Sequence, residues 1–184
     1  MTSILKGKKI LLIISGGIAA YKTLDLIRLI RKEKGEVTAI LTKAGAHFVT
    51  PLSVAALSEN KVYDDLFSLT DEVEMGHIEL SRSADLIVVA PASADIMARH
   101  AQGVCSDLAT TALLATNVPV LMAPAMNVKM WEHPATQVNV ATLKSWGVVM
   151  VGPEEGEMAC GETGMGRMSE PADILKAIGN VFKR

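Results

Sequence analysis

Residues 9–15 (KILLIIS) and 85–90 (DLIVVA) are apolar almost without interruption, the pattern of strands buried on both faces. Residues 36–42 (EVTAILT), 119–123 (PVLMA) and 148–151 are predicted as strands beside them. Between these runs the apolar period lengthens to three or four. Residues 18–34 predict a helix with Ala20, Leu24 and Ile27 on one face, Lys22, Asp25 and Lys32 on another, and Gly35 as its stop. Residues 44–60 predict short helices broken near Pro51, and residues 62–74 are acidic and less regular. Further helices are predicted at 77–83, 93–100, 107–116 and 134–146. The last helix, 171–182, opens on Pro171 and carries an apolar face of Ile174, Leu175 and Ile178.

Strands alternating with helices predict a single α/β domain spanning residues 1–184: a doubly wound parallel sheet covered on both faces. No internal repeat, low-complexity tract or linker interrupts it. Ligands in such sheets bind beyond the C-terminal ends of the strands. The chemistry is therefore expected just after Ser15, Thr42, Ala90 and Ala123.

Composition narrows the class. The chain is 49% hydrophobic and only 4% aromatic, so aliphatic residues and ten methionines must fill the core. A net charge of -2 offers no basic field for nucleic acid. No apolar run reaches the length of about 18 residues expected of a membrane span. The basic-then-apolar N-terminus is read as a first strand, because it ends in Ser15-Gly16-Gly17 and leads into an amphipathic helix. Cys105 and Cys160 lie in unlike contexts without metal-ligand spacing, so no metal site is expected, and a reducing cytoplasm is.

Each expected strand end carries polar or small residues. SGGIAAYK (residues 15–22) pairs a glycine turn with a helix start that suits an anion, yet it lacks the Gly-x-Gly-x-x-Gly dinucleotide pattern. A mononucleotide phosphate fits it better; a plain strand–helix turn fits it too. Thr42 offers a hydroxyl. The small residues after Ala90, including Ser93, would admit a flat ring or a tight helix contact. Asp107 reads as a helix cap, Cys105 as a small buried hydrophobe, His100 as a surface or C-terminal helix residue, and His133 as a helix-entry residue. Asn127, in APAMNVKMW, would orient a substrate carboxylate or cap the next helix. His77 is an imidazole suited to proton transfer, or a structural one. Residues 154–171 are glycine-rich, around Cys160, and poorly suited to helix or strand.

In order, SGGIAAYK, MGHIEL, APASAD, PAMNVKMW and GEMACGETGMGRM resemble the homo-oligomeric flavin-containing cysteine decarboxylases over nearly the whole chain. The resemblance implies a flavodoxin-like (Rossmann-like) sheet, bound FMN, and trimers that pack into dodecamers. It implies catalytic roles for His77, Asn127 and Cys160. FMN contacts are implied for Gly17, Ile18, Thr42, Ser93, Asp107 and Ala123. Substrate contacts are implied for Ala125, Met126, Asn127, Met130, Met158, Ala159 and Arg167. Some relatives carry Asn-Thr where this chain has Asp95-Ile96.

The implied reaction converts 4′-phosphopantothenoylcysteine to 4′-phosphopantetheine in coenzyme A biosynthesis. The thiol end is oxidised to a thioaldehyde, carbon dioxide leaves to give an enethiol, and the enethiol is reduced. His77 is implied in the oxidative half, Asn127 at the carboxylate, and Cys160 as proton donor in the reductive half. Residues 153–170 are implied as a substrate flap. Three alternatives stand beside this: a peptide-cysteine oxidative decarboxylase that stops at the enethiol, a flavin prenyltransferase, and a non-catalytic flavin-fold regulatory protein. Cys160 and PAMN argue against them. A phosphopantothenate–cysteine ligase, as a fused domain or separate protein, is the implied partner, and Arg184 lies where such a domain would begin.

Overall fold

Six runs pair into one parallel sheet in the computed structural model, which describes residues 4–64, 77–157, 159 and 161–183, with the backbone alone for His77 and Ile78. The strands are β1 (Lys9–Ile14), β2 (Glu36–Leu41), β3 (Val62–Tyr63), β4 (Leu86–Ala92), β5 (Val120–Pro124) and β6 (Val149–Met150). Their spatial order is β3-β2-β1-β4-β5-β6. β1 is central: Ile10 sits opposite Val37 on one side and Leu86 on the other. Without the two-residue edge strand β3, the order is that of flavodoxin-like sheets. The strand order reverses between β1 and β4, so the switch point lies beyond Ile14 and Ala92.

The helices are α1 (Tyr21–Lys32), α2 (Pro51–Ser58), α3 (His77–Arg82), α4 (Ala94–Ala101), α5 (Leu108–Ala115), α6 (Val128–Glu132), α7 (Pro134–Ser145) and α8 (Pro171–Val181). Alternation along β1 divides the core between them. Ile10, Leu12 and Ile14 pack with Leu26, Ile27 and Ile30 of α1 and with Ile174 and Ile178 of α8. Leu11 and Ile13 pack with Met97 of α4, Leu113 of α5 and Leu143 of α7. Leu12 and Ile13 are fully buried, so truncating either to alanine costs about 2–5 kcal/mol. Among the described residues, no helix is long and apolar enough to cross a membrane.

The structure corrects several details. Residues 18–20 form a 3-10 turn before α1 rather than its first turn. Gly35 does not supply the left-handed stop of that helix. Lys34 does, at φ 61°, while the Gly35 N–H donates to the Ile30 carbonyl at 3.0 Å. Gly35 is needed for space: a Cβ there would lie 2.8 Å from Ile30 Cγ2. The glycine-rich C-terminal segment, read as unsuited to strands, forms an antiparallel hairpin of β7 (Glu154–Glu157) and β8 (Thr163–Arg167). Strand β3 was not anticipated, and α6 was foreseen only as a helix that Asn127 would cap.

Candidate active site at the switch point

Ser15 fastens the two strands at the switch point. Its Oγ donates to the Pro91 carbonyl at 2.6 Å and accepts from the Ser93 N–H at 3.1 Å. The next residue, Gly16, is packed tight, since a Cβ there would stand 2.5 Å from Ala44 Cβ. Gly17 differs. Its φ of 163° is ordinary extended backbone, and a Cβ would find nothing nearer than Pro91 Cγ at 3.9 Å. Neither backbone strain nor protein packing requires glycine here, so the missing side chain leaves an open surface for a bound group.

Two cavities flank this turn. The first, of about 540 Å³, is lined by Gly16, Thr42, Ser93, Arg99, Asp107 and Met130 among others. The second, of about 530 Å³, is lined by Gly17, Ile18, Ala125, Met126, Asn127, Ala159 and Arg167, together with Tyr21, Lys22, Glu157 and Glu170. The expected flavin contacts are thus divided: Thr42, Ser93 and Asp107 face the first cavity, Gly17 and Ile18 the second. Met130, expected with the substrate, lines the first. Ala123 is fully buried within β5 and lines neither. Met158, Cys160 and the His77 side chain lie outside the described residues.

Hydrogen bonding determines what each side chain still offers. Thr42 Oγ1 donates to the Ile14 carbonyl at 3.2 Å and accepts from the Gly45 N–H at 3.0 Å. Ser93 caps α4, its Oγ accepting from the Ile96 N–H at 3.3 Å. Asp107 caps α5: Oδ1 accepts from the Thr110 N–H at 2.8 Å and from its hydroxyl at 2.7 Å. Oδ2 accepts from Arg99 Nη1 at 2.5 Å. Burial pushes this carboxyl up, but the bonds from Thr110 and Arg99 outweigh it and hold Asp107 below the usual carboxylate range. Arg99 also reaches Asp95 at 3.6 Å. Arg99, not singled out from the sequence, is thus the cation that Asp107 holds on this wall, which Lys43 also lines.

Of the two readings given to Asn127, the structure shows the helix cap. The side chain caps α6, with Oδ1 accepting from the Met130 N–H at 2.8 Å. Only an oxygen can accept there, which fixes the amide orientation and leaves Nδ2 without a partner among the described residues. Asn127 lines the second cavity, so this NH₂ is available to a ligand oxygen. The hairpin closes beside it. The Met126 N–H donates to the Gly166 carbonyl at 3.0 Å, and a Cβ on Gly164 would press Val128 at 3.1 Å. Glycine in β8 thus serves close approach to α6. Ser169 Oγ donates to Glu154 Oε1 at 2.7 Å and joins the hairpin stems.

Three other residues depart from expectation. His100 ends α4 as foreseen, but it is buried at 8% exposure rather than at the surface, edge-on to Trp146 with ring centroids 6.0 Å apart. Its Nδ1 has no partner among the described residues, and burial lowers its pKa. Cys105 is exposed, not a buried hydrophobe. Lys22, assigned to the polar face of its helix, is 12% exposed in its side chain and lines the second cavity. Among the described residues, no group of His, Cys, Asp and Glu is arranged to hold a metal ion.

A family model described as Flavoprotein matches residues 2–183. The chain belongs to the flavoprotein family. This flavoprotein is 50% identical over 180 residues to the coenzyme A biosynthesis bifunctional protein CoaBC of Haemophilus influenzae. That match covers 98% of this chain and 45% of the relative, so the chain spans less than half the length of that protein. Among solved structures, a cysteine-to-serine mutant of PPC decarboxylase complexed with pantothenoylaminoethenethiol superposes with a TM-score of 0.85 at 32% identity. The match covers 97% of this chain and all of that one. The FMN binding protein AtHal3 gives a TM-score of 0.81 at 32% identity, covering 97% and 98% of the two chains.

Proposed function

We propose that this flavoprotein is the FMN-dependent decarboxylase that converts 4′-phosphopantothenoylcysteine to 4′-phosphopantetheine in coenzyme A biosynthesis. The observation that carries the reading is Asn127: a helix-capping, orientation-fixed carboxamide whose NH₂ has no partner among the described residues, on the wall of a cavity that Gly17 also lines. The similarity to CoaBC and to PPC decarboxylase supports the substrate. Membership of the flavoprotein family and likeness to AtHal3 support FMN.

Gly17, Ile18, Thr42, Ser93 and Asp107 would hold FMN, which supplies the two-electron oxidation that activates the substrate for decarboxylation and returns the electrons afterwards. Asp107 has little hydrogen-bonding capacity left, so its role there is to fix Arg99 and the start of α5. Asn127 Nδ2 donates to the substrate carboxylate and orients it without adding charge. Ala125, Met126, Ala159 and Arg167 bound the rest of the substrate, with Met130 reaching it from the flavin side. His77 takes the proton in the oxidative half. Cys160, which lies in sequence between β7 and β8, donates the proton that completes the saturated product. The segment 153–170 serves as the flap that shields the reaction from water.

The working assembly is a homotrimer, or a dodecamer of trimers, in the cytoplasm. Its partner is a phosphopantothenate–cysteine ligase, consistent with the bifunctional relatives. The test is anaerobic mixing of the FMN-loaded protein with 4′-phosphopantothenoylcysteine. Transient bleaching of the flavin and release of carbon dioxide are expected. An unchanged flavin spectrum and intact substrate would refute the proposal.

A further inference from the structure

The second cavity holds a cation to which the reaction as proposed gives no task. Lys22 stands on the first turn of α1, and its ammonium is fixed by the Glu170 carboxylate at 2.7 Å and by the Met168 carbonyl at 3.4 Å. An ammonium has three donors. Two are placed, and the third has no partner among the described residues. The Lys22 side chain is 12% exposed whereas that of Glu170 is 49% exposed. The lysine is thus largely desolvated opposite a carboxylate that water still screens, which leaves a charge that a second anion would stabilise.

Arg167 is the other cation of this cavity, and it is placed differently. It belongs to the hairpin, and its side chain lies across Gly156, where a Cβ would come within 3.2 Å of Nε. Lys22 instead stands on a helix anchored in the core, between α1 and the start of α8. A cavity of about 530 Å³ lies in the range that encloses a whole small-molecule ligand. With Asn127 at the carboxylate end, an anion at the opposite end of the same ligand falls to the remaining fixed charge.

We infer that Lys22 is the residue that selects a phosphorylated substrate over its unphosphorylated counterpart, with Glu170 holding the ammonium in place until the phosphate takes up the free donor. This rests on the substrate reading proposed above. A compact ammonium binds phosphate as a point charge, and one charge-assisted hydrogen bond gives a preference of about tenfold to a hundredfold. Glu170 opposes that preference electrostatically while it positions the lysine. Removing the charge at either residue therefore has opposite consequences, which a purely structural tether would not produce.

The experiment measures kcat/KM of the FMN-loaded protein for 4′-phosphopantothenoylcysteine and for pantothenoylcysteine, in wild type, Lys22→Met, Lys22→Arg and Glu170→Gln. The wild type is expected to prefer the phosphorylated substrate by at least about tenfold. In Lys22→Met the ratio should collapse towards one, chiefly through KM for the phosphorylated substrate, and Lys22→Arg should restore much of it. Glu170→Gln should keep the preference or enlarge it. The inference is overturned if Lys22→Met lowers both substrates by the same factor, or if Glu170→Gln abolishes the preference as Lys22→Met does. A wild type that decarboxylates neither substrate overturns the functional proposal itself, and this inference with it.

Discussion

Gly16 and Gly17 are adjacent, yet alanine should affect them in opposite ways. At Gly16 the new methyl would lie 2.5 Å from Ala44 Cβ, where ordinary carbon contacts are about 3.5–4.0 Å. The overlap is more than about 1 Å between two atoms fixed to backbone, and overpacking of this kind costs about 1–3 kcal/mol. At Gly17 the backbone is extended and the nearest atom is 3.9 Å away. Gly17→Ala should therefore leave the stability of the apoprotein unchanged, or raise it by about 0.4–1 kcal/mol by restricting the unfolded chain. The same methyl projects from the surface proposed above to contact FMN, and on that proposal a like overlap should weaken FMN binding about tenfold to a hundredfold. The assay pairs denaturant unfolding of apoprotein with FMN titration followed by quenching of flavin fluorescence. Gly16→Ala should lose stability, and Gly17→Ala should lose FMN affinity alone. Wild-type FMN affinity in Gly17→Ala would refute the reasoning, as would a loss of apoprotein stability equal to that of Gly16→Ala.

Asn127→Asp should unfold like wild type, because aspartate keeps the cap on the Met130 N–H, while substrate binding weakens sharply as like charges meet; unaltered substrate affinity would remove the carboxylate contact. Asn127→Ala should lose about 1 kcal/mol of stability as well, read from denaturant unfolding. Burial lowers the His100 pKa below its usual 6.5, so the unfolded chain takes up that proton first and stability falls as pH drops below about 6.5. His100→Phe should flatten that part of the curve of unfolding free energy against pH, and an unchanged slope between pH 7 and 5 would contradict the assignment. Cys160→Ser should still release carbon dioxide but yield a product two hydrogens lighter by mass spectrometry, whereas a fully saturated product at wild-type rate would exclude Cys160 as proton donor.

The central strands were legible because each is a short aliphatic run with no polar face, and only a strand buried on both sides tolerates that. Of the four strand ends where chemistry was expected, those after Ser15, Thr42 and Ala90 line one or the other of two cavities, and after Ala123 the lining begins at Ala125. What escaped depends on contacts between segments far apart in sequence. The hairpin carries glycines that weaken any strand prediction, yet those glycines admit Val128 and let Met126 bond to Gly166. Helix α6 has five residues, too few to display a period. Lys22 follows the polar period of α1, and nothing local reveals that residues 168 and 170 return beside it. His100 reads as an exposed helix end until Trp146, at the C-terminal end of α7, packs edge-on against it.

The central claim concerns what the two cavities do together, and the mass balance of a single turnover tests it most directly. Purified protein loaded with FMN is mixed anaerobically with 4′-phosphopantothenoylcysteine, and carbon dioxide, flavin absorbance and product mass are followed together. The account predicts one carbon dioxide per substrate, a flavin spectrum that bleaches and recovers, and a product that differs from the substrate by carbon dioxide alone. A substrate left intact, or a product that leaves two hydrogens short while the flavin stays reduced, would contradict it.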